Sequence, residues 1–348
     1  MTLQPAHRRI ATITVGMALL IVFLVAGMTF KVPYVALSGG PTVNTLGDQN
    51  GKPVVSVSDA VDPHPKGHLN LTTVSLHDQM TLFQALGMWL SSDYELEPRE
   101  LYYPPDQSVE QVQQQNVAQM SSSEANATAA ALNYLHKPTT LGVDDVAPKG
   151  PSAGKLKQFD RIVSVNGVDV PDPKAVVEVL SKLKPGETIE VVVQRGNARL
   201  TEQIKLGERP DDKSRPYLGV TFTTMAEDPN MNITYNVGDI GGPSAGTMLT
   251  LSIIDQMTPG DLSAGKFVAG TGTIKPDGTV GPIGGITHKI KAARDAGATV
   301  FLVPAENCAA ATSDTPDGIE LVKIDTLTSA VQSLDSLDDP KATRPSCS

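Results

Sequence analysis

Positive charge is the first thing this sequence is short of. Its 28 Lys+Arg stand against 38 Asp+Glu, a formal charge of -10 over 348 residues, whereas a nucleic-acid surface needs a cationic footprint. No DNA or RNA partner is expected. Cysteine is sparse too, with Cys308 and Cys347 the whole complement. That excludes a small stapled scaffold, and the length predicts two or three domains, each able to bury a core. Histidine is scarce. His64 and His68 lie in HPKGH, where Pro65 and Gly67 prevent a helix from presenting both on one face, and His77-Asp78 has no partner at a defined spacing. No metal site is expected from them. Nucleotide-binding loops are missing as well. GPSAGKL, Gly150 to Leu156, is one residue short of a phosphate loop and ends in Leu. GDLSAGKF, Gly260 to Phe267, fits G-x-x-x-x-G-K but has Phe267 where the magnesium-binding hydroxyl belongs, and it follows a helix and not a strand. Neither ATP nor any other cofactor is expected.

Long apolar runs are absent but for one. Ile10 to Phe30 is 21 residues without a charge, enough to cross a bilayer as a helix. A cleaved signal has a shorter apolar region and a small-x-small site, and neither is clear here. Arg8 and Arg9 precede the run, so residues 1–9 are expected as a cytoplasmic tail, 10–30 as a transmembrane anchor, and everything after Lys31 outside. The expectation is a single-pass protein of the cell membrane with an extracytoplasmic body. There Cys308 and Cys347 are candidates for a disulfide that ties the Pro-rich tail, residues 337–348, back to the fold; two unpaired thiols are the alternative.

Residues 31–137 begin with short alternating runs such as PVVSVS and LNLTTVSL, broken by turn residues, which predict β-rich structure. From Ser108 to Leu135 the apolar spacing predicts one or two helices, ended by His136-Lys137-Pro138. Residues 138–208 form a separate unit. It reads strand, loop, short helix, strand, turn, helix, strand, turn, strand. Its helix starts at Pro173, carries Val176, Val179, Leu180 and Leu183, and stops at Lys184-Pro185-Gly186. TIEVVVQR and RLTEQIKL then pair across GNA as a hairpin. With RIVSVNGVDV and LKPGETIEVVVQR, this segment resembles a PDZ domain. That resemblance assigns the first GPSAG, Gly150 to Gly154, to a turn and makes Ser152 a structural residue. It implies capture of an extended peptide segment, but the turn near Leu135 to Thr140 has no clear gly-leu-gly-phe loop to hold a terminal carboxylate.

The pentapeptide GPSAG recurs at Gly242 to Gly246 in a different setting. A strand at Ile233 to Val237 and a Gly-rich turn lead into a helix from about Ala245 to Met257 that is apolar nearly all round and therefore buried. Ser244 at its N-terminal end can be an N-cap or a nucleophile, with backbone N–H groups from Gly242 to Ala245 aimed where an oxyanion would form. A nucleophile needs a base. In GPIGGITHKIKAARDAG, Thr287 is read as the cap of a helix running to Gly297, with Ile286, Ile290, Ala293 and Ala296 inward. Lys289 lies in its first turn, where burial and the helix dipole both favour the neutral amine. Lys291 points away as an ordinary solvated charge.

Tyr217 to Leu334 resembles the proteolytic domain of the Lon family, peptidases that use a serine-lysine dyad. GGPSAG matches the nucleophile motif at Ser244 and GPIGGITHKIKAA the lysine motif at Lys289. TGTIKPDGTVGPIGG aligns between them, and the resemblance implies that Thr271 helps hold the lysine. The expected fold class is α+β: a transmembrane helix and a PDZ domain inserted in, or preceding, a Lon-type domain at 215–336. The arrangement resembles the membrane-anchored PDZ-containing Lon-like peptidases of bacteria. It implies that residues 31–137 belong with the peptidase, and that Ser244 and Lys289 cut extracytoplasmic peptides or unfolded segments without ATP. A silent, membrane-tethered PDZ adaptor and an amidase or esterase are the rival readings. Ring, homo-oligomer or monomer is left open.

Overall fold

The computed structural model describes residues 5–62, 67–339 and 341–347. From the N-terminus, α1 (Pro5–Thr29) precedes β1 (Tyr34–Asn44), β2 (Val55–Val57), β3 (His68–His77), α2 (Leu82–Trp89), β4 (Glu95–Pro98) and the long α3 (Val109–Tyr134). Next come β5 (Thr139–Val146), β6 (Arg161–Val165), α4 (Pro173–Leu180), β7 (Thr188–Arg195), β8 (Ala198–Lys205) and β9 (Val220–Ala226). The chain continues with β10 (Ile233–Tyr235), α5 (Gly246–Met257), β11 (Phe267–Gly270), β12 (Thr273–Ile274), β13 (Val280–Gly281), α6 (Ile286–Asp295), β14 (Val300–Pro304), α7 (Cys308–Ala311), β15 (Glu320–Ile324) and α8 (Leu327–Asp335). The class is α+β, as expected. Arg9–Thr29 within α1 is long and apolar enough to cross a bilayer.

Two compact units divide the chain, Met1–Pro41 with Thr73–Gln115 and Thr42–Thr72 with Asn116–Ser348. In the first, β1 pairs antiparallel with β4 from Tyr34↔Pro98 to Leu37↔Glu95, and Ala36, Met80 and Ala85 form a small core. Thr81 starts α2 with a reciprocal capping box to Gln84. The stretch 31–137, expected to belong with the peptidase, is divided between the two units. Residues 73–115 group with the N-terminal helix and strand, whereas 42–72 and 116–137 group with the second unit.

Two larger sheets contribute to the second unit beside several two-stranded pairs. Four parallel strands run in the order β15-β14-β11-β3, with β3 entering through His68 to Leu71. All five residues of β14 are buried, the continuous apolar run that a central parallel strand requires. The other sheet is antiparallel in the order β8-β7-β6-β5-β9. Its core takes Val176 of α4 with Leu141, Val143, Ile189, Val191 and Val193. Two details differ from expectation. Residues 151–156 form turns and not a short helix, and α4 ends at Leu180, four residues before Lys184.

Elements on both sides of the antiparallel sheet build one larger core. Val55, Leu69, Met120, Ala127 and Leu132 pack with Met248, Leu251, Val300 and Leu327. The segment from β5 to β9 thus interrupts a single packed body, and β9 extends the antiparallel sheet to Ala226, beyond the expected limit near residue 208. At the other end of the chain, Cys308 and Cys347 form a disulfide, with Cα atoms 4.9 Å apart. The Lys323 amide donates to the Pro345 carbonyl at 2.8 Å, which fixes the tail along β15.

A buried guanidinium holds the exit from β9. Arg161 Nε donates to the Ala226 carbonyl at 2.8 Å, and Nη2 donates to the carbonyls of Asp228 at 2.7 Å and Met231 at 2.9 Å. Burial pushes its pKa down, yet it stays charged in this chemistry. Removing it takes the guanidinium from three carbonyls, of which that of exposed Asp228 also accepts from the Met231 amide at 3.2 Å; a buried one left unpaired costs about 1–3 kcal/mol. Arg161→Met is expected to lower the unfolding free energy by about 3 kcal/mol in urea titration, and Arg161→Lys to recover less than half of that because it lacks the planar fork.

Candidate active site

Local chemistry explains the turn before α5. Gly242 adopts φ 85°, a left-handed conformation that favours glycine. A Cβ on Gly246 would stand 2.8 Å from Ile274 Cγ2 and 2.9 Å from Ser123 Oγ, so the helix can start there only without a side chain. Ala245 is the N-cap and gives no side-chain cap bond. Ser244 therefore does not cap the helix. Its hydroxyl is half-buried and available, while α5 behind it is buried along almost its whole length.

Lys289 reaches that hydroxyl from α6. Its Nζ donates to Ser244 Oγ at 2.7 Å, to Thr271 Oγ1 at 3.0 Å and to the Thr72 carbonyl at 3.0 Å. Thr271 Oγ1 in turn donates to the Ser244 carbonyl at 3.1 Å, and the Gly272 amide donates to the same oxygen at 2.9 Å. Lys289 is 3% exposed and Thr271 0%. Desolvation by this burial lowers the lysine pKa from 10.5 to about 8. The arrangement can move a proton between a half-buried serine hydroxyl and a buried amine.

The helix that carries Lys289 starts differently from expectation. Gly285, at φ 68°, is its N-cap, and Thr287 lies inside the first turn instead of capping it. Ile286, Ile290 and Ala293 face inward, but Ala296 is exposed because the helix has already ended at Asp295. Lys291 pairs with Asp314 at 2.6 Å on the surface.

Of the two backbone positions expected at an oxyanion site, one is already engaged: the Gly242 amide donates to the Asn116 carbonyl at 3.0 Å. The first residues of the second-unit portion of α3 make that bond, and sequence alone gives no hint of it. Among the described residues, the Ser244 and Ala245 amides have no protein acceptor. The Thr72 carbonyl was also invisible beforehand, since a backbone acceptor leaves no residue signature.

The other expected sites fall elsewhere. Ser152, in the first GPSAG, is buried and donates to the Leu218 carbonyl at 2.7 Å. Together with the Ala147 amide, which donates to the Gly219 carbonyl at 2.9 Å, it supports the loop Tyr217-Leu218-Gly219. Gly219 has φ 78°, and a Cβ there would meet Pro151 Cδ at 2.9 Å. That loop feeds β9, an edge strand paired on one side only, by β5. Val220 and Phe222 of β9 pack against the same cluster as Val176 of α4. Lys266 of GDLSAGKF donates to the Leu337 carbonyl at 2.6 Å, a structural use. His68 stacks on Phe267 with ring centroids 4.6 Å apart, and His64 lies outside the described residues.

Residues 223–335 match the Lon protease (S16) C-terminal proteolytic domain. Residues 113–206 match the PDZ domain. Lon protease 2 of Bacillus subtilis (strain 168) is 27% identical over 190 residues, covering 53% of this chain and 31% of the relative. The Lon protease of Roseiflexus castenholzii is 33% identical over 130 residues, 34% of this chain and 16% of the relative. The chain thus spans less than a third of the length of these relatives. A solved structure, the PDZ domain of the SdrC-like protein from Listeria monocytogenes, is 24% identical, covers 24% of this chain and 86% of that chain, and has a TM-score of 0.23.

Lys289 links stability to pH with a definite sign. Its folded pKa, about 8, lies below its ordinary 10.5, so the unfolded chain holds the extra proton between those values. Stability contributed by this group is lowest below pH 8 and rises as pH climbs from 8 to 10.5, by roughly 3 kcal/mol in all. Urea unfolding at pH 7.5 and pH 10 is expected to show this rise in the parent protein relative to Lys289→Met, which lacks the titrating amine.

Proposed function

We propose that this chain, which carries a PDZ domain and a Lon-type serine peptidase domain, is a membrane-anchored endopeptidase that works without ATP on extracytoplasmic peptides and unfolded protein segments. One observation carries the reading: an amine 2.7 Å from a hydroxyl, with the amine buried and the serine half-buried.

Ser244 is the nucleophile and Lys289 the general base. A lysine with a pKa near 8 is neutral about once in ten at pH 7, against about once in 3,000 for an ordinary lysine. In the neutral form its two N–H groups serve Thr271 Oγ1 and the Thr72 carbonyl, which leaves the lone pair for the Ser244 proton. Oγ then bonds to the substrate carbonyl carbon, the amine takes the proton, and the carbonyl oxygen becomes an oxyanion for the Ser244 and Ala245 amides to hold. Lys289 returns the proton to the leaving nitrogen as the C–N bond breaks. Water, deprotonated by the same amine, releases the acyl group from Ser244. Thr271 positions the amine through its paired bonds to Lys289 and Ser244.

The PDZ segment recruits the substrate. An extended peptide adds to the free edge of β9, with its end at the Leu218-Gly219-Val220 loop. Both phosphate-loop look-alikes have structural roles, which favours flexible segments that need no unfolding as the substrates. The uncharged run of α1, preceded by Arg8 and Arg9, favours a single-pass anchor with residues 1–9 cytoplasmic and the body outside. Assembly into a homo-oligomer is compatible with this scheme but not needed for the dyad.

An unfolded, fluorescently labelled protein substrate is expected to be cut without nucleotide. Ser244→Ala and Lys289→Met should each lose on the order of 10³-fold or more in kcat/KM while keeping the parent's circular dichroism. Full activity in either variant would remove the dyad. Thr271→Val is expected to lose about tenfold to a hundredfold, the worth of one hydrogen bond to a charged group, and Thr271→Ser to retain most activity. In the parent, kcat/KM should rise about tenfold per pH unit up to a break near pH 8.

A further inference from the structure

α2 presents an apolar face that the first unit does not cover. At 100° per residue, Leu82, Leu86, Leu90, Phe83 and Trp89 fall on one arc of about 120°. Ala85 and Met88, on the other side, pack into the small core with Ala36 and Met80. On the open arc, Leu86 is 43% exposed, Trp89 67% and Leu90 79%.

The same arc touches the end of α1. The Phe83 ring meets Phe23 edge-on at 5.5 Å between centroids, and Phe83 is the side chain that covers Gly27. The backbone fastens the two helices as well: the Leu82 amide donates to the Phe30 carbonyl at 3.2 Å and the Val32 amide to the Met80 carbonyl at 2.9 Å. Phe23 and Gly27 lie six and two residues before Thr29, so at 1.5 Å per residue the contact sits about 3–9 Å inside the end of the helix. Interfacial helices bury their apolar face to about 5–10 Å. An element held at that depth against a bilayer span has lipid, not water, as its neighbour.

We propose that the face formed by Leu86, Trp89 and Leu90 inserts into the outer headgroup–acyl boundary of the bilayer, so that α2 is a second membrane contact beside α1. The inference rests on reading α1 as a membrane span. Apolar burial drives the contact and charge does not: the carboxylates that follow α2, Asp93, Glu95 and Glu97, repel anionic lipid, while the nearby cations Lys31 and Arg99 are engaged by Gln79 and Asp78. Trp at this level suits an interfacial position, where its ring is apolar and its N–H stays hydrated. The occupant is the lipid surface itself.

Trp89 is the only tryptophan in the chain, so its fluorescence reports this site alone. The full chain is placed in phosphatidylcholine nanodiscs, and Trp89 emission is read with aqueous acrylamide and with lipid brominated near the headgroup end of the acyl chain. The expected result is a blue shift relative to the urea-unfolded chain, strong quenching by brominated lipid, loss of acrylamide quenching, and no change when phosphatidylglycerol is added. Leu86→Asp with Leu90→Asp should restore acrylamide quenching while the protein still co-elutes with the discs. Co-elution with acrylamide quenching equal to that of the unfolded chain would overturn the docking and leave the anchor intact. A blue shift without bromine quenching would assign the face to a protein partner or second copy and also overturn it. Failure to co-elute would remove the anchor and this proposal together.

Discussion

The Lys289 ammonium lies between three oxygens, those of Ser244, Thr271 and Thr72, with almost no access to water. Everything about the site depends on keeping that amine dry. Burial disfavours its charge, which lowers its pKa toward 8 and supplies the free base. The burial comes from packing at some distance: α5 is enclosed by the core that α3, β2 and β3 complete from residues before the PDZ segment. A peptidase domain cut from residue 223 onward would lack the Thr72 carbonyl and the Asn116 carbonyl that fixes the Gly242 turn.

The two GPSAG copies show how little a pentapeptide decides by itself. In the first, Ser152 is turned inward to a carbonyl, and its loop supports the approach to an edge strand. In the second, glycine at 246 lets a helix begin tight against Ile274 and Ser123, and the serine just before it is left half-buried with its hydroxyl facing an amine. Identical local chemistry meets different partners. The difference lies in which carbonyl, amine or solvent each serine faces.

The antiparallel PDZ sheet lies between chain segments that pack into one core. Its first and last strands, β5 and β9, pair with each other, so the insertion leaves and re-enters the core at neighbouring points. Arg161 ties that return to the loop ahead of β10 through three carbonyls.

The sequence by itself determined much that is local. A charge-free run long enough for a bilayer, the all-round apolar character of α5, the inward stripe of α6, a Gly-flanked serine and a first-turn lysine are each set by neighbours within a few residues. Ser244 and Lys289 stood out as candidates because they carry chemistry in their side chains. Tertiary structure decided what depends on distant backbone: the Thr72 acceptor, the engagement of the Gly242 amide by Asn116, the grouping of residues 73–115 with α1, the loop at Leu218-Gly219, and the exposed face of α2. Backbone carbonyls and amides are the same at every position, so nothing in residue identity marks which of them a fold will bring to a site. Only the path of the chain through space selects them.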